Sequence, residues 1–277
     1  MKIETIDPII KRALKEDLPH GDITSESIIK PDSISEAIIL AKEKGILAGI
    51  EVASRVFQLL DHSVVFQRKL NDGQCFSSGQ VLAEIKGPSI PILKGERTAL
   101  NFLQRLSGIA TATHKFVQAV KNSRTIILDT RKTTPGLRVL EKYAVKVGGG
   151  RNHRFSLSDM VLIKDNHLRV IKSISLAVKK AKEKVGRGEK IEVEVSSLEE
   201  AKEAVQSGAD IVMLDNIRLE ELKEIMRQLK GKAAFEVSGR VNLRKIKELA
   251  SLGVDYVSIG SLTHSYKSID ISLEILE

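Results

Sequence analysis

Six short apolar runs in the carboxy-terminal half, each closing on a polar or small residue, constrain the fold more than any other feature of this chain. They are IILDT at 126–130, MVLIK at 160–164, IEVEV at 191–195, IVMLD at 211–215, AAFEV at 233–237 and YVSIG at 256–260. A continuous apolar run is the pattern of a strand buried on both faces, and such strands belong to parallel sheets covered by helices. The polar ends recur at near-constant steps: 21 residues from Glu194 to Asp215, 23 from Asp215 to Ser238 and 22 from Ser238 to Gly260. Each step is the length of one strand and one helix. Six or more such units favour closure over an open sheet, so the expected fold is α/β, an incomplete or distorted (β/α) barrel of six to seven parallel strands.

Capping signals mark the intervening helices. SLEEAKEAVQSGAD opens on Ser197, with Glu200 three residues on as a capping box, and stops at Gly208; VNLRKIKELASLGVD repeats the design with Asn242 and Gly253. The amino-terminal part has another grammar. After an amphipathic helix at 5–17, EAIILAKEKGILAG, SVVFQRKL and NDGQCFSSGQVLAEIKGP read as short strands divided by NDG, SSG and KGP turns. This is an α+β domain, an open-faced sandwich, expected over 1–107 with 268–277 returning to it and the barrel over 108–267. A helix from Glu96 to about Asn122, with Leu100, Leu103, Leu106, Phe116 and Val120 on its apolar positions, joins the two.

Charge is concentrated where chemistry is expected. Between Arg131 and Arg169 stand nine Lys or Arg against three acids, Glu141, Asp159 and Asp165, interleaved with turn residues. Guanidinium matches carboxylate and phosphate as a two-pronged donor and ammonium adds a mobile point charge, so this stretch is suited to a small, multiply anionic ligand. The net charge of +8 is otherwise carried by alternating Lys and Glu, as in KKAKEKVGRGEK at 179–190, which reads as solvated surface. Trp is absent and aromatics make up only 4%, leaving little for stacking single-stranded nucleic acid. Cys75 is the only cysteine, which excludes an internal disulfide, fits a reducing compartment, and together with the absence of a long apolar run points to the cytoplasm.

In barrels of this kind the chemistry gathers at the carboxyl ends of the strands, where the sequence places Arg131, Lys164, Glu194, Asp215, Ser238 and Gly260. Any lone basic residue there is ordinarily solvated surface. As a set, Arg131, His153, Arg154 and Lys164 all follow or close strands of one repeat, next to GGG at 148–150, which is read as letting backbone approach a ligand. Glu194 and Asp215 close successive strands. They are either structural carboxylates balancing the basic cluster or a pair of hard oxygen donors for magnesium and substrate phosphate. FEVSGR and SIGSLTHS put small residues beyond two late strands, a setting for backbone amides that cradle phosphate. His153 and His264 have no HxH or HExxH spacing, and the chain lacks a GxSxG elbow, a GxGxxG and a GxxxxGK[ST]. Zinc hydrolysis, serine-triad, dinucleotide and P-loop chemistry are therefore disfavoured.

The blocks ERTALNFLQRLSGIAT, TRKTTPGLRVLEKYAVKVGGGRNHR, LIKDNH, EVEV, MLDN, EVSG and SIGSLTHS, in that order, resemble the quinolinate phosphoribosyltransferase family, the carboxylating nicotinate-nucleotide pyrophosphorylases. The resemblance runs from HGDIT at 20–24 to the carboxy terminus. It implies phosphoribosyl transfer from 5-phosphoribosyl-1-pyrophosphate to quinolinate with decarboxylation, giving nicotinate mononucleotide, pyrophosphate and CO2 in NAD biosynthesis. By the same resemblance Arg131, His153, Arg154 and Lys164 hold the two carboxylates, with Arg97 reaching in from the partner subunit of a homodimer or larger assembly. Lys132, Glu194 and Asp215 serve the sugar pyrophosphate and a magnesium ion bound by the two acids, and Ser238, Gly239, Gly260 and Ser261 cradle the phosphate. Arg240 stands where relatives often carry a further glycine. That departure bears on the backbone contact there and offers a side-chain phosphate contact instead.

Three other readings remain open from the residues alone. A relative of similar barrel could act on another pyridine or near metal transport; a basic chain could bind nucleic acid, with a steep salt dependence; and an aldolase-like or isomerase barrel would lack phosphoribosyl chemistry altogether.

Overall fold

The computed structural model describes residues 3–186 and 188–277. Met1, Lys2 and Arg187, the last within the stretch read as solvated surface, lie outside the described residues. In chain order the elements are α1 (Ile3–Asp17), α2 (Ile23–Ile28), β1 (Ile34–Ala41), β2 (Gly45–Ile46), α3 (Ile50–Leu60), β3 (Val65–Arg68), β4 (Cys75–Phe76), β5 (Val81–Pro88) and α4 (Ser89–Ala119). They continue with β6 (Ile126–Leu128), α5 (Arg138–Val147), β7 (Val161–Ile163), α6 (Asp165–Ile171), α7 (Ile174–Lys184), β8 (Ile191–Val195) and α8 (Leu198–Gln206). The last are β9 (Ile211–Asp215), α9 (Leu219–Leu229), β10 (Ala234–Ser238), α10 (Lys245–Leu252), β11 (Tyr256–Ser258), α11 (Ser261–His264) and β12 (Ile271–Ile275). All six apolar runs of the carboxy-terminal half are strands.

The chain forms two compact units, one of residues up to 114 with 133–149 and 263–277, the other of 115–132 and 150–262. In the first, an antiparallel sheet has the order β12-β1-β5-β3, and the returning tail pairs Ala37 with Ile275 and Ala41 with Ile271. Strand β1 alternates, burying Ala37, Ile39 and Ala41. Helices fill the core with Ile6, Ile10, Val52, Val56, Phe57, Leu100, Leu103 and Leu106, none more than 3% exposed. Truncating one of these leucines to alanine costs about 2–5 kcal/mol in a packed interior. The long helix differs from expectation. It begins at Ser89, seven residues before Glu96, because Pro91 sits in the first turn, where no intrahelical N–H is required. It also ends at Ala119 and carries the expected boundary at 107/108 within its length.

The second unit is a six-stranded parallel sheet of order β6-β11-β10-β9-β8-β7. Its far edge is extended by a parallel bridge: Arg151 N–H donates to Ile127 O at 2.8 Å, and Asp129 N–H donates to Arg151 O at 3.2 Å. No ladder joins β7 to β6 among the described residues, so the barrel is incomplete. The helices on the outside are capped as the sequence implies. Ser197 Oγ accepts from Glu200 N–H at 3.2 Å, and Asn242 Oδ1 accepts from Lys245 N–H at 2.9 Å. The Glu200 carboxylate reaches back to Ser196 N–H at 2.7 Å, one residue before the cap itself.

Candidate active site

Strand register decides which side chains share a face. Leu162 pairs with Glu192, Glu192 with Ile211, Glu194 with Met213, Glu236 with both Met213 and Tyr256, and Ser238 with Asp215. Paired residues of a parallel sheet point the same way and side chains alternate along each strand. Lys164, Glu194, Asp215, Ser238 and Gly260 are thus in phase at the carboxyl ends. Two residues earlier on each strand, and on the same face, stand Leu162, Glu192, Met213, Glu236 and Ser258.

At the mouth, Lys164 Nζ lies 3.1 Å from Glu194 Oε2. The lysine side chain is 44% exposed and the glutamate 13%. A pair this open to water contributes at most about 1 kcal/mol to stability, so its use is positional. Lys164 is held through its own backbone: its N–H donates to Nδ1 of His167 at 2.8 Å, on the first turn of α6. Next along the sheet, the ends of β9 and β10 interlock. Asn216, in a left-handed conformation at φ 53°, donates its N–H to Ser238 O at 3.2 Å and its Nδ2 to Asp215 Oδ2 at 2.8 Å. Gly239, at φ 128°, leaves no room for a side chain, since a Cβ there would meet Asn216 Oδ1 at 2.6 Å. Asn216 was not among the expected site residues, although MLDN displays it. Arg240 is exposed just beyond, and Ser261 opens the short α11 after Gly260.

Glu194 and Asp215 offer hard carboxylate oxygens from adjacent strand ends on one face. That donor set fits magnesium, which takes one or two protein carboxylates and fills its remaining positions with phosphate and water.

After β6, Lys132 is exposed and its N–H donates to Thr130 Oγ1 at 3.0 Å, while Arg131 is half-buried. Arg154 is buried, at 9% exposure, with its Nη1 on Met160 O at 3.2 Å. Burial and then the neighbouring charge of Arg131 both push its pKa down, partly offset by Glu192 and Asp159. Burying a guanidinium disfavours its charge, and the positive field of a neighbouring guanidinium adds to that cost.

His153 is expected among the carboxylate-binding groups, and its hydrogen bonds in the structure run to neighbouring protein groups. Its N–H donates to Asp129 Oδ1 at 2.9 Å, and the buried Asp129 also takes a hydrogen bond from Asn152 Nδ2. Nδ1 accepts the N–H of Arg154 at 2.7 Å, which places the ring proton on Nε2, 2.9 Å from Glu192 Oε2 and 3.6 Å from Glu236 Oε2. Both ring nitrogens are thus engaged inside the barrel. The GGG segment also departs from expectation at its first residue. Gly148 is needed for packing, because a Cβ there would come within 2.4 Å of Ala110 O on α4. Arg97, on α4 of the first unit, has its side chain 60% exposed. His264 is exposed and bonds Ser265 Oγ through Nδ1 at 2.6 Å.

Glu192 and Glu236 were missed. Their strands were read as continuous apolar runs, yet both glutamates are essentially inaccessible, at 0% and 1%. Burial, and then the adjacent Glu192 carboxylate, push Glu236 up to about 8. Glu192 within IEVEV and Glu236 within AAFEV, acids set among apolar strand residues, carry the signal.

Two family models cover nearly the whole chain. Quinolinate phosphoribosyl transferase, N-terminal domain, matches residues 22–107, and Quinolinate phosphoribosyl transferase, C-terminal domain, matches 109–274. The chain belongs to the quinolinate phosphoribosyl transferase family. Among its relatives, the probable nicotinate-nucleotide pyrophosphorylase [carboxylating] of Bacillus subtilis (strain 168) is 45% identical over 94% of this chain and 90% of its own length. That of Methanocaldococcus jannaschii is 44% identical over 97% and 96%. The crystal structure of NadC from Streptococcus pyogenes, 43% identical, superposes with a TM-score of 0.95 over 100% of this chain and 99% of that one.

Proposed function

We infer that this chain transfers the phosphoribosyl group of 5-phosphoribosyl-1-pyrophosphate to quinolinate and releases CO2, giving nicotinate mononucleotide and pyrophosphate. Its relatives bear the names of that activity, including the quinolinate phosphoribosyltransferase [decarboxylating] 2b of Nicotiana tabacum, 39% identical over 96% of this chain. The single observation that carries the reading is the buried Arg154 guanidinium, 9% exposed and in the positive field of Arg131, a cationic setting suited to a dicarboxylate.

In this reading Arg131, Arg154 and Lys164 hold the two carboxylates and so fix the plane of the ring. The pyridine nitrogen then attacks the anomeric carbon in line as pyrophosphate leaves, through a transition state with positive charge on the sugar. Glu194 and Asp215 favour that charge electrostatically. Lys132, exposed at the strand end, meets the departing pyrophosphate, and the loops at Ser238, Gly239, Gly260 and Ser261 receive the 5-phosphate. A magnesium ion carried by Glu194 and Asp215 would supply charge neutralisation for the diphosphate. The bond from the pyridine nitrogen to the sugar makes the ring cationic, so it accepts the electron pair released when the adjacent carboxylate leaves as CO2. Arg97, solvent-facing in one subunit, reaches the site of its partner in a homodimer. Work in the cytoplasm fits a chain whose lone cysteine is free and exposed and in which no helix of the described residues is long and apolar enough to cross a membrane.

The test is direct. The purified protein, quinolinate, the sugar pyrophosphate and magnesium should yield nicotinate mononucleotide by chromatography and labelled CO2 from the 2-carboxyl group in equal amounts. Absence of both products refutes the reading.

A further inference from the structure

The deeper layer of the barrel holds a cluster of three titratable side chains. Glu192 and Glu236 project from β8 and β10 beneath the mouth, 0% and 1% exposed, with His153 between them at 8% side-chain exposure. Burying carboxyl groups is unfavourable, and the Oε1 atoms of both glutamates have no hydrogen-bond partner. An arrangement that costs stability persists when the surrounding geometry is useful. Here the geometry leads upward: His153 Nε2–H donates to Glu192 Oε2 at 2.9 Å, so Nδ1 is left with a lone pair, and that lone pair accepts the Arg154 N–H at 2.7 Å. His153 is also tied through its main chain, its backbone N–H donating to Asp129 Oδ1 at 2.9 Å. Arg154 therefore leaves the floor of the barrel with its main chain set by the tautomer of the ring before it.

We propose that Glu192 is a positioning residue for Arg154, acting through the His153 ring: the carboxylate holds the ring as the Nε2–H tautomer, the tautomer supplies the acceptor for the Arg154 amide, and the amide sets the guanidinium that grips a carboxylate of the substrate. The inference rests on the dicarboxylate-binding role assigned to Arg154. It adds Glu192, with Glu236 as the second wall of the ring's slot, to the groups on which quinolinate affinity depends.

Chemistry separates this from a buried metal centre. The ligand atoms of His153, Glu192 and Glu236 lie within 4.8 Å of one another, close enough to surround an ion. With Nδ1 accepting from Arg154, however, metal on Nε2 would require a ring carrying no proton. A neutral imidazole donating to a carboxylate needs no such species.

Glu192→Ala removes the acceptor and Glu192→Gln retains one, so the pair separates positioning from bulk structure. For Glu192→Ala the KM for quinolinate should rise roughly 10- to 100-fold while that for the sugar pyrophosphate changes less than about twofold, and Glu192→Gln should recover most of the loss. Nitrogen NMR of the wild-type protein should show His153 as the Nε2–H tautomer, with slow exchange of the Arg154 amide, both altered in Glu192→Ala. If that variant does not fold, the glutamine variant and the wild-type spectrum decide. Equal changes in both KM values, an unchanged quinolinate KM, a protonated or Nδ1–H ring, or one equivalent of bound metal in the purified protein would each overturn the proposal. The NMR readout requires no substrate, so a protein that fails to turn over quinolinate yet shows the tautomer refutes the reaction assignment and leaves the hydrogen-bond relay standing.

Discussion

Lys164 Nζ stands 3.1 Å from Glu194 Oε2, which ties the carboxyl ends of two adjacent strands, β7 and β8, by one ion pair at the mouth of the barrel. The two partners are assigned to different substrates, the lysine to the dicarboxylate and the glutamate to the diphosphate and magnesium. Lys164→Ala should therefore raise the quinolinate KM, and Glu194→Gln should raise the magnesium concentration for half-maximal rate. The double variant should lose less than the product of the two, by about 1 kcal/mol of coupling, in a cycle of kcat/KM values. Strict additivity would mean that the pair is not kept in the working enzyme.

In the proposed reaction Arg131 and Arg154 both grip the dicarboxylate. Arg131→Ala should lower kcat/KM for quinolinate by roughly 3 kcal/mol or more, about 10²-fold, because a desolvated charge on the ligand loses its two-pronged partner. Steady-state kinetics checks this, and undiminished turnover would remove Arg131 from the clamp.

At Gly239 the backbone has φ 128° and a Cβ would fall 2.6 Å from Asn216 Oδ1. Gly239→Ala should cost about 1–3 kcal/mol in conformational strain and raise the KM for the sugar pyrophosphate more than that for quinolinate. The comparison needs only the two KM values and the melting temperature of the variant.

Glu236 gives the protein a pH-dependent stability with a definite sign. Its pKa is raised from 4.5 to about 8 in the folded state, by burial first and then by Glu192. Between those values the native state keeps a proton that the unfolded chain has released. Stability is therefore greatest below the unfolded value and falls as pH rises through about 5 to 8, by an amount on the order of a few kcal/mol. Urea unfolding at pH 5.5 and 8.5 should show the loss. Glu236→Gln, which carries no proton to release, should flatten it.

Arg97 tests the assembly. Arg97→Ala and Arg131→Ala should each be nearly inactive alone, yet mixing and reannealing them should restore about a quarter of wild-type activity, since half the dimers would hold one intact site if Arg97 acts across the interface. No recovery would place Arg97 in its own subunit's site or outside any site.

The strand repeat was readable because it depends on local pattern. IVMLD and YVSIG are mainly apolar, and their polar or small ends mark where a buried strand leaves the sheet. Ser197, Asn242, Gly208 and Gly253 announced their helix ends for the same reason, since a cap acts within a few residues. Helix α4 starts before Glu96, because Pro91 in its first turn interrupts no hydrogen bond. GGG at 148–150 was read as ligand-facing, yet Gly148 answers to Ala110 on another helix, a neighbour that no spacing along the chain announces.

By itself the sequence determined the alternation of strands and helices, the concentration of cationic groups after them and the set of strand-end residues, because periodicity, capping and charge are local properties. Which groups meet depends on tertiary structure. Alternation put Glu192 and Glu236 on one buried face of the sheet, and packing brought both carboxylates to the His153 ring, whose two nitrogens meet a carboxylate and a backbone amide. A hydrogen bond depends on where two atoms meet in space, and residues 39 and 83 positions away in sequence meet His153 only after the sheet has formed.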